Sequence, residues 1–337
     1  MKISGYILYS LAFGLLTLAS CSGDDIQTEN TGKDIKLSAG WGDKQTRAKI
    51  DEANRDIMNT GENVYAWADM INSTDNQLSS YFKAWHLHAR SDGQLVAVTA
   101  AKQFPAANKL NFYAVNGDFD AGQITEGTTE MPASLTYRVE ANQTTANNYY
   151  VSDLLYGMRK QVEPTENDVE LPFYHMLSQV RVLVKAGAEV TASQLANCTV
   201  LILNAKCRGT FSPDTTDVAA ENIATTATRA AMISTDNSTQ NVTMKTGSES
   251  AFQADDDMVS AIIPPQTYAA GAGMIKVILS NNDEFVFKPT ADLVLESGGA
   301  YKIVITINDG KAQGIVTTLA GWANSTDDNS INFERTL

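Results

Sequence analysis

Histidine and cysteine are scarce. The 337-residue chain has three of each, His86, His88 and His175, and Cys21, Cys198 and Cys207. His86 and His88 are two apart on a strand-like run, a spacing metals use, but no third ligand follows in the sequence. They read as two half-buried histidines beside Phe82 and Ala84. His175 reads as a hydrogen-bonded residue at a domain junction. There is no Gly-x-Ser-x-Gly, no Gly-rich phosphate loop and no His-Glu-x-x-His, so the common catalytic signatures are missing. Basic residues are also in deficit: 25 Lys and Arg against 39 Asp and Glu give a net charge of −14. That balance argues against nucleic-acid binding, which needs clustered Lys and Arg. No catalytic residue, metal site or cofactor is expected, and the chain does not read as an enzyme.

Long apolar runs are confined to the N-terminus. Lys2 precedes an uncharged stretch, Ile3 to Ser20, that ends Leu18-Ala19-Ser20-Cys21. This is a lipoprotein signal pattern: charge, apolar segment, small residues, then the cysteine that would carry the lipid. Residues 1–20 are then the signal peptide and 21–33 a polar lipidated tether. Acyl chains on Cys21 would hold the chain in the outer membrane. Ser-Gly-Asp-Asp after Cys21 resembles a surface-export signal of gut and oral Gram-negative bacteria. Between Cys198 and Cys207 a disulfide is permitted outside the cytoplasm. The apolar run that Cys198 opens, "CTVLIL", favours a buried free thiol instead.

The rest of the chain alternates with period two in short segments punctuated by Gly, Asn, Asp and Pro. Ile35, Leu37, Ala39 and Trp41 share a face, as do Val64, Ala66, Ala68 and Met70. So do Val180, Val182 and Val184, and Tyr301, Ile303, Ile305 and Ile307. Asp92-Gly93 reads as a hairpin turn. Helical periodicity is brief, at 48–59, and the Thr/Ser-rich stretch 212–250 reads as a long surface loop. The fold class is therefore all-β with few short helices: two tandem antiparallel β-sandwiches, 34–163 and 169–337, joined by a linker at 164–168.

The two ends pose a further question. The first strand, within 34–47, is followed by an unshielded Thr46-Arg47-Ala48. The last residues alternate as well, with Ile331, Phe333 and Leu337 on one face. Seven or eight residues span roughly 23–26 Å, a sandwich edge. One strand that can leave and another like it, 330–337, have the geometry of β-strand addition between subunits. Two permanent strands are the plainer reading of the same pattern.

Several segments then carry a family resemblance: the lipobox, "ENVYAW", "SDGQLVA", "KQFPAANKLNFYAV", "DLLYG", "ELPFYHMLSQVRVLV", "AIIPPQ", "GGAYKIVITI" and "LAGW". In this order they make the chain resemble the fimbrillin family, the major and minor pilin lipoproteins of gut and oral Gram-negative bacteria. The resemblance implies two transthyretin-like sandwiches. It implies that a surface arginine-specific protease cuts between Arg47 and Ala48, and that Ile35 to Trp41 then leave. Another pilus subunit would refill the groove by donor-strand exchange, giving a fimbria that supports adhesion or biofilm. A monomeric surface lipoprotein that stacks glycans on exposed Trp67 or Trp85 is the alternative.

Overall fold

The computed structural model describes residues 30–41, 58, 60–187, 190–213, 226–245, 258–308 and 310–319. Among these, strands dominate and helices are three and short, as the alternation predicts. The chain begins with Asn30–Asp34 (β1) and Leu37–Trp41 (β2), parted at Ile35–Lys36. Asn63–Ile71 (β3), Leu78–Ala89 (β4) and Gln94–Ala97 (β5) follow as a meander. Next come Gln103–Pro105 (β6), Lys109–Asn116 (β7), Leu135–Arg138 (β8), helix Ala146–Val151 (α1), Leu155–Val162 (β9) and Val169–His175 (β10).

Seven of these strands close into a barrel in the order β10-β2-β5-β4-β3-β7-β9, while β1 pairs separately with β6. The β4–β5 turn forms where Asp92-Gly93 predicts it. Gly93 has φ +85°, the left-handed region that glycine enters without steric cost, and the Gln94 N–H donates to Asp92 Oδ1 at 3.0 Å. Val64, Ala66, Ala68 and Met70 of β3 fill the barrel as the alternation requires, facing Leu110, Phe112 and Ala114 of β7.

β4 departs from strict alternation. Ala66 lies opposite Trp85 and Ala68 opposite Phe82, so β4 holds one residue more than β3 over this interval. That is a β-bulge, and Ala84 sits in it at φ +37°. Phe82 and Trp85 therefore both point into the barrel. The expected shared face of Phe82, Ala84, His86 and His88 does not form, because the extra residue flips the parity between Phe82 and the histidines.

The chain continues as Ser178–Ala186 (β11), Ala192–Ala196 (α2), Thr199–Lys206 (β12), Arg208–Phe211 (β13), Thr226–Met232 (α3), Ile233–Thr235 (β14) and Thr239–Lys245 (β15). It ends with Val259–Ile263 (β16), Gln266–Tyr268 (β17), Ile275–Ile278 (β18), Glu284–Phe287 (β19), Leu293–Leu295 (β20), Ala300–Asn308 (β21) and Lys311–Leu319 (β22). Sheets β16-β11-β21-β22 and β15-β12-β18-β19 sandwich a core of Val180, Val182, Val200, Ile202, Ile275, Val277, Ile303 and Ile305. The stretch 212–250 is not all loop: it contains α3, β14 and β15.

The expected boundary moves. Residues 164–168 connect β9 to β10, which are paired neighbours in the barrel. The chain leaves the barrel only after His175. Nor are barrel and sandwich insulated from each other. β8, from the first half, pairs with β13, and the Tyr156 and Phe211 rings meet edge-on at 5.3 Å. Trp67, Tyr113 and Tyr156, on the outer barrel wall, belong to the same buried cluster as the sandwich. That is why β7 is buried on both faces. Gln143 ties the halves further: its side-chain amide accepts from the Ile262 N–H and donates to the Ile262 C=O, both at 2.8 Å. One side chain thus satisfies both backbone groups of a sheet-edge residue. Among the described residues two strand pairs are parallel rather than antiparallel as expected, β2 with β10 and β11 with β21.

Candidate functional site: the seat of the first strand

β2 occupies a seam of the barrel. On one side it pairs in parallel with β10, from Leu37 opposite Val169 to Trp41 opposite Phe173. On the other it pairs antiparallel with β5 at only two positions, Leu37 with Leu95 and Ser38 with Gln94. The Val169 N–H donates to Lys36 C=O at 2.8 Å, and the Ala39 N–H donates to Gly93 C=O at 2.9 Å. N–H groups alternate sides along a strand, so Leu171 and Phe173 also turn theirs toward β2. Pro172, which has no N–H, falls on the opposite side and leaves the ladder intact.

The first two members of the apolar row are buried in the barrel. Leu37 is fully buried and Ile35 is 4% exposed, packed with Leu95, Phe104 and Leu171 in the barrel core. Ala39 is half-buried, and only the backbone of Trp41 is described. The outer face carries polar links. Gln94 Nε2 donates to Asp168 Oδ2 at 2.6 Å, joining β5 to the start of β10 across the outside of β2. Glu170 lies over Gly40, where a Cβ would come within 2.5 Å of its carboxylate. Lys33 and Lys36 reach the carbonyls of Pro164 and Glu166, each at 3.4 Å. β2 is thus held by two backbone edges and an inward apolar row.

Cys21, Arg47, Ala48, Ile331, Phe333 and Leu337 lie outside the described residues. Of the other residues singled out in the sequence, His175 is buried where the barrel meets the sandwich, its Nδ1 hydrogen-bonded with Asp153 Oδ1 at 3.1 Å, as a junction histidine should be. Cys198 and Cys207 are both buried and not joined by a disulfide, and burial pushes the Cys207 thiol up to about 11. Trp67 and Trp85 are not exposed. They are 2% and 3% accessible, and their indole N–H groups donate to Thr129 and Ala100 carbonyls at 2.8 and 3.1 Å. The glycan-stacking alternative therefore loses the platform it named. Among the described residues, no three or more His, Cys, Asp and Glu side chains are grouped to hold a metal.

The role of β10 as a wall of the seat is what the sequence concealed. Its Leu171 and Phe173 alternate like any strand, and nothing local says which sheet receives them.

The profile of the fimbrillin-like family matches residues 46–322. The chain belongs to the fimbrillin-like family. This fimbrillin-like chain has no significant match among curated proteins. Among solved structures it is similar to a candidate cell adhesion protein from Bacteroides ovatus, with TM-score 0.57 and 15% identity over 85% of this chain and 96% of the other. It is similar also to one from Bacteroides uniformis, with TM-score 0.54 and 17% identity over 86% and 99%. At such identities the likeness establishes the shared fold. A tip fimbrial protein of Porphyromonas gingivalis, Mfa3, aligns at TM-score 0.44 and 8% identity over 85% of this chain and 98% of that one. Family membership makes the chain a subunit of the fimbrial kind, associated with the cell surface.

Proposed function

We propose that this chain is a pilus subunit delivered as a lipoprotein through Cys21 and polymerised by donor-strand exchange. In this reading an arginine-specific surface protease cuts between Arg47 and Ala48. The piece carrying Ile35, Leu37, Ala39 and Trp41 departs, and the barrel is left with a seam between β5 and β10. A strand carrying Ile331, Phe333 and Leu337 from another subunit fills it. The mature subunits form a fimbria on the outer membrane that supports adhesion or biofilm contact.

One observation carries the proposal: β2 is the first stave of a closed barrel, and it is inserted between two strands that come later in the chain. Its loss opens one seam and breaks no other strand pair of the barrel. The open seam would expose two unpaired edges and uncover Leu95, Leu171 and Phe173, an arrangement that favours capture of a new strand. Refilling several hundred Å² of apolar surface contributes roughly 10 kcal/mol before ordering costs.

The test is treatment of purified protein with an arginine-specific protease. Wild type is expected to give SDS-resistant ladders and filaments, and Arg47→Ala to remain monomeric. Ladders of equal strength from Arg47→Ala would remove Arg47 from the scheme. Deletion of 331–337 is expected to abolish ladders while leaving cleavage intact. Ladders that persist after it would assign the donor elsewhere.

A further inference from the structure

The bulge in β4 has a chemical consequence on the outside of the barrel. With Phe82 pointing inward, unbroken alternation would send residues 84, 86 and 88 inward too. The extra residue at Ala84 reverses this. Trp85 and Leu87 fill the core, and His86 and His88 emerge together on the outer face. Ala84 holds this bulge in a backbone region that a residue with a Cβ rarely enters. Strain of this sort concentrates where a side chain must be re-aimed.

The two imidazoles then converge. Asn63, on β3, is the direct cross-strand partner of His88, and Tyr65 is that of His86. Both histidine Nε2 atoms lie within hydrogen-bonding distance of a single atom, Asn63 Oδ1, at 2.8 Å from His86 and 3.0 Å from His88. The rings are perpendicular with centroids 5.2 Å apart. His86 is held further by stacking on Tyr65, with centroids at 4.9 Å and planes 18° apart. Burial, then the neighbouring His88, lowers the His86 pKa below the usual imidazole value. The Glu126 carboxylate is near enough to act electrostatically on His86 and Tyr65, and it adds negative charge to this surface.

We infer that Asn63, His86 and His88 form a surface site for a divalent transition ion that favours imidazole, Cu(II) most tightly and Zn(II) less so. The ion sits between the two Nε2 atoms and Asn63 Oδ1, each ligating imidazole carrying its ring proton on Nδ1. Metal–nitrogen bonds are about 2.0–2.1 Å, shorter than the present contacts, so small rotations of these outward side chains complete the site. Asn63 Oδ1 is the third donor, and solvent supplies the rest. Imidazole nitrogen suits copper and zinc alike, and the general order of stability puts Cu(II) ahead of Zn(II). The sequence offered only the two histidines, because Asn63 joins them through strand pairing. The inference is independent of how the subunit polymerises.

The experiment titrates tag-free protein with Cu(II) and with Zn(II) by calorimetry, and records the Cu(II) electron paramagnetic resonance spectrum. Expected are saturable binding of one ion per chain, coupling to two imidazole nitrogens, and tighter binding of copper than of zinc. His86→Ala and His88→Ala should each weaken binding by about tenfold or more. Asn63→His, which sets a third imidazole at the same point, should tighten it by about tenfold or more. Circular dichroism checks that each variant stays folded, which is expected of outward positions. Absence of saturable binding, or an isotherm unchanged in the His86→Ala/His88→Ala double variant, would overturn the site. A spectrum without imidazole coupling would do the same, and Asn63→His that fails to tighten binding would remove Asn63 from it.

Discussion

Barrel and sandwich each contain one parallel strand pair, and the two pairs are held very differently. In the sandwich, β11 pairs with β21 over eight positions, from Gln179 to Ala186, and with β16 over five more on its other edge. Both faces of β11 are buried, with Val180, Val182 and Val184 on one side and Leu183 on the other. In the barrel, β2 pairs with β10 over five positions and with β5 over two. Its inward Leu37 is buried and Ala39 half-buried, and its outer face is crossed by polar links. β11 is also flanked in sequence by structure on both sides, whereas β2 precedes everything else in its barrel. The same backbone chemistry thus gives a long-laddered central strand in one place and a short-laddered first stave in the other, which the proposed function takes as separable. What differs is ladder length, the number of buried faces and position along the chain.

Substitutions can break that comparison. The largest effect is expected from Ile303→Ala, which empties a fully buried site on β21 beside Val182. It should cost about 2–5 kcal/mol and lower the urea midpoint for the whole chain. Leu37→Ala removes a side chain just as buried, yet its global cost is limited by the free energy of releasing β2. About 2 kcal/mol is expected, with amide exchange accelerated at Ser38, Ala39 and Gly40 and unchanged along β21. Equal acceleration in both strands would mean that β2 is not separable. Gln143→Ala strands the Ile262 N–H and C=O at the edge of β16. It should cost about 1–3 kcal/mol, read as loss of protection in β16. The smallest change is Ala84→Gly. Relief of left-handed strain worth about 1–2 kcal/mol opposes loss of a buried methyl worth about 0.8 kcal/mol. A stabilisation of about 0.5 kcal/mol is expected in thermal unfolding, with the histidines still facing outward.

Much of this contrast was visible in the pattern of residues. The inward row of Ile35 and Leu37, the Asp92-Gly93 turn and the faces of β18 and β21 follow from period-two alternation, which burial enforces. Other features were not legible, for physical reasons. The parity change at Ala84 leaves no mark, since alanine suits a bulge no better than a regular strand. The membership of β10 in the barrel and the pairing of β8 with β13 are long-range choices, and local alternation is the same whichever partner is taken. Both faces of β7 are apolar because one lines the barrel and the other meets the sandwich, so alternation there has little contrast to show. The convergence on Asn63 was hidden twice, by the bulge and by the cross-strand register.

The most direct measurement is of the barrel after cleavage. Wild-type protein cut after Arg47 is followed by native mass spectrometry and by amide exchange at β5 and β10, with a synthetic peptide of residues 325–337 present or absent. The account predicts loss of the fragment carrying Leu37, faster exchange at Leu95 and Leu171, and restored protection in a one-to-one complex once the peptide is added. A fragment that stays bound, with Leu95 and Leu171 protected throughout and no peptide captured, would contradict it.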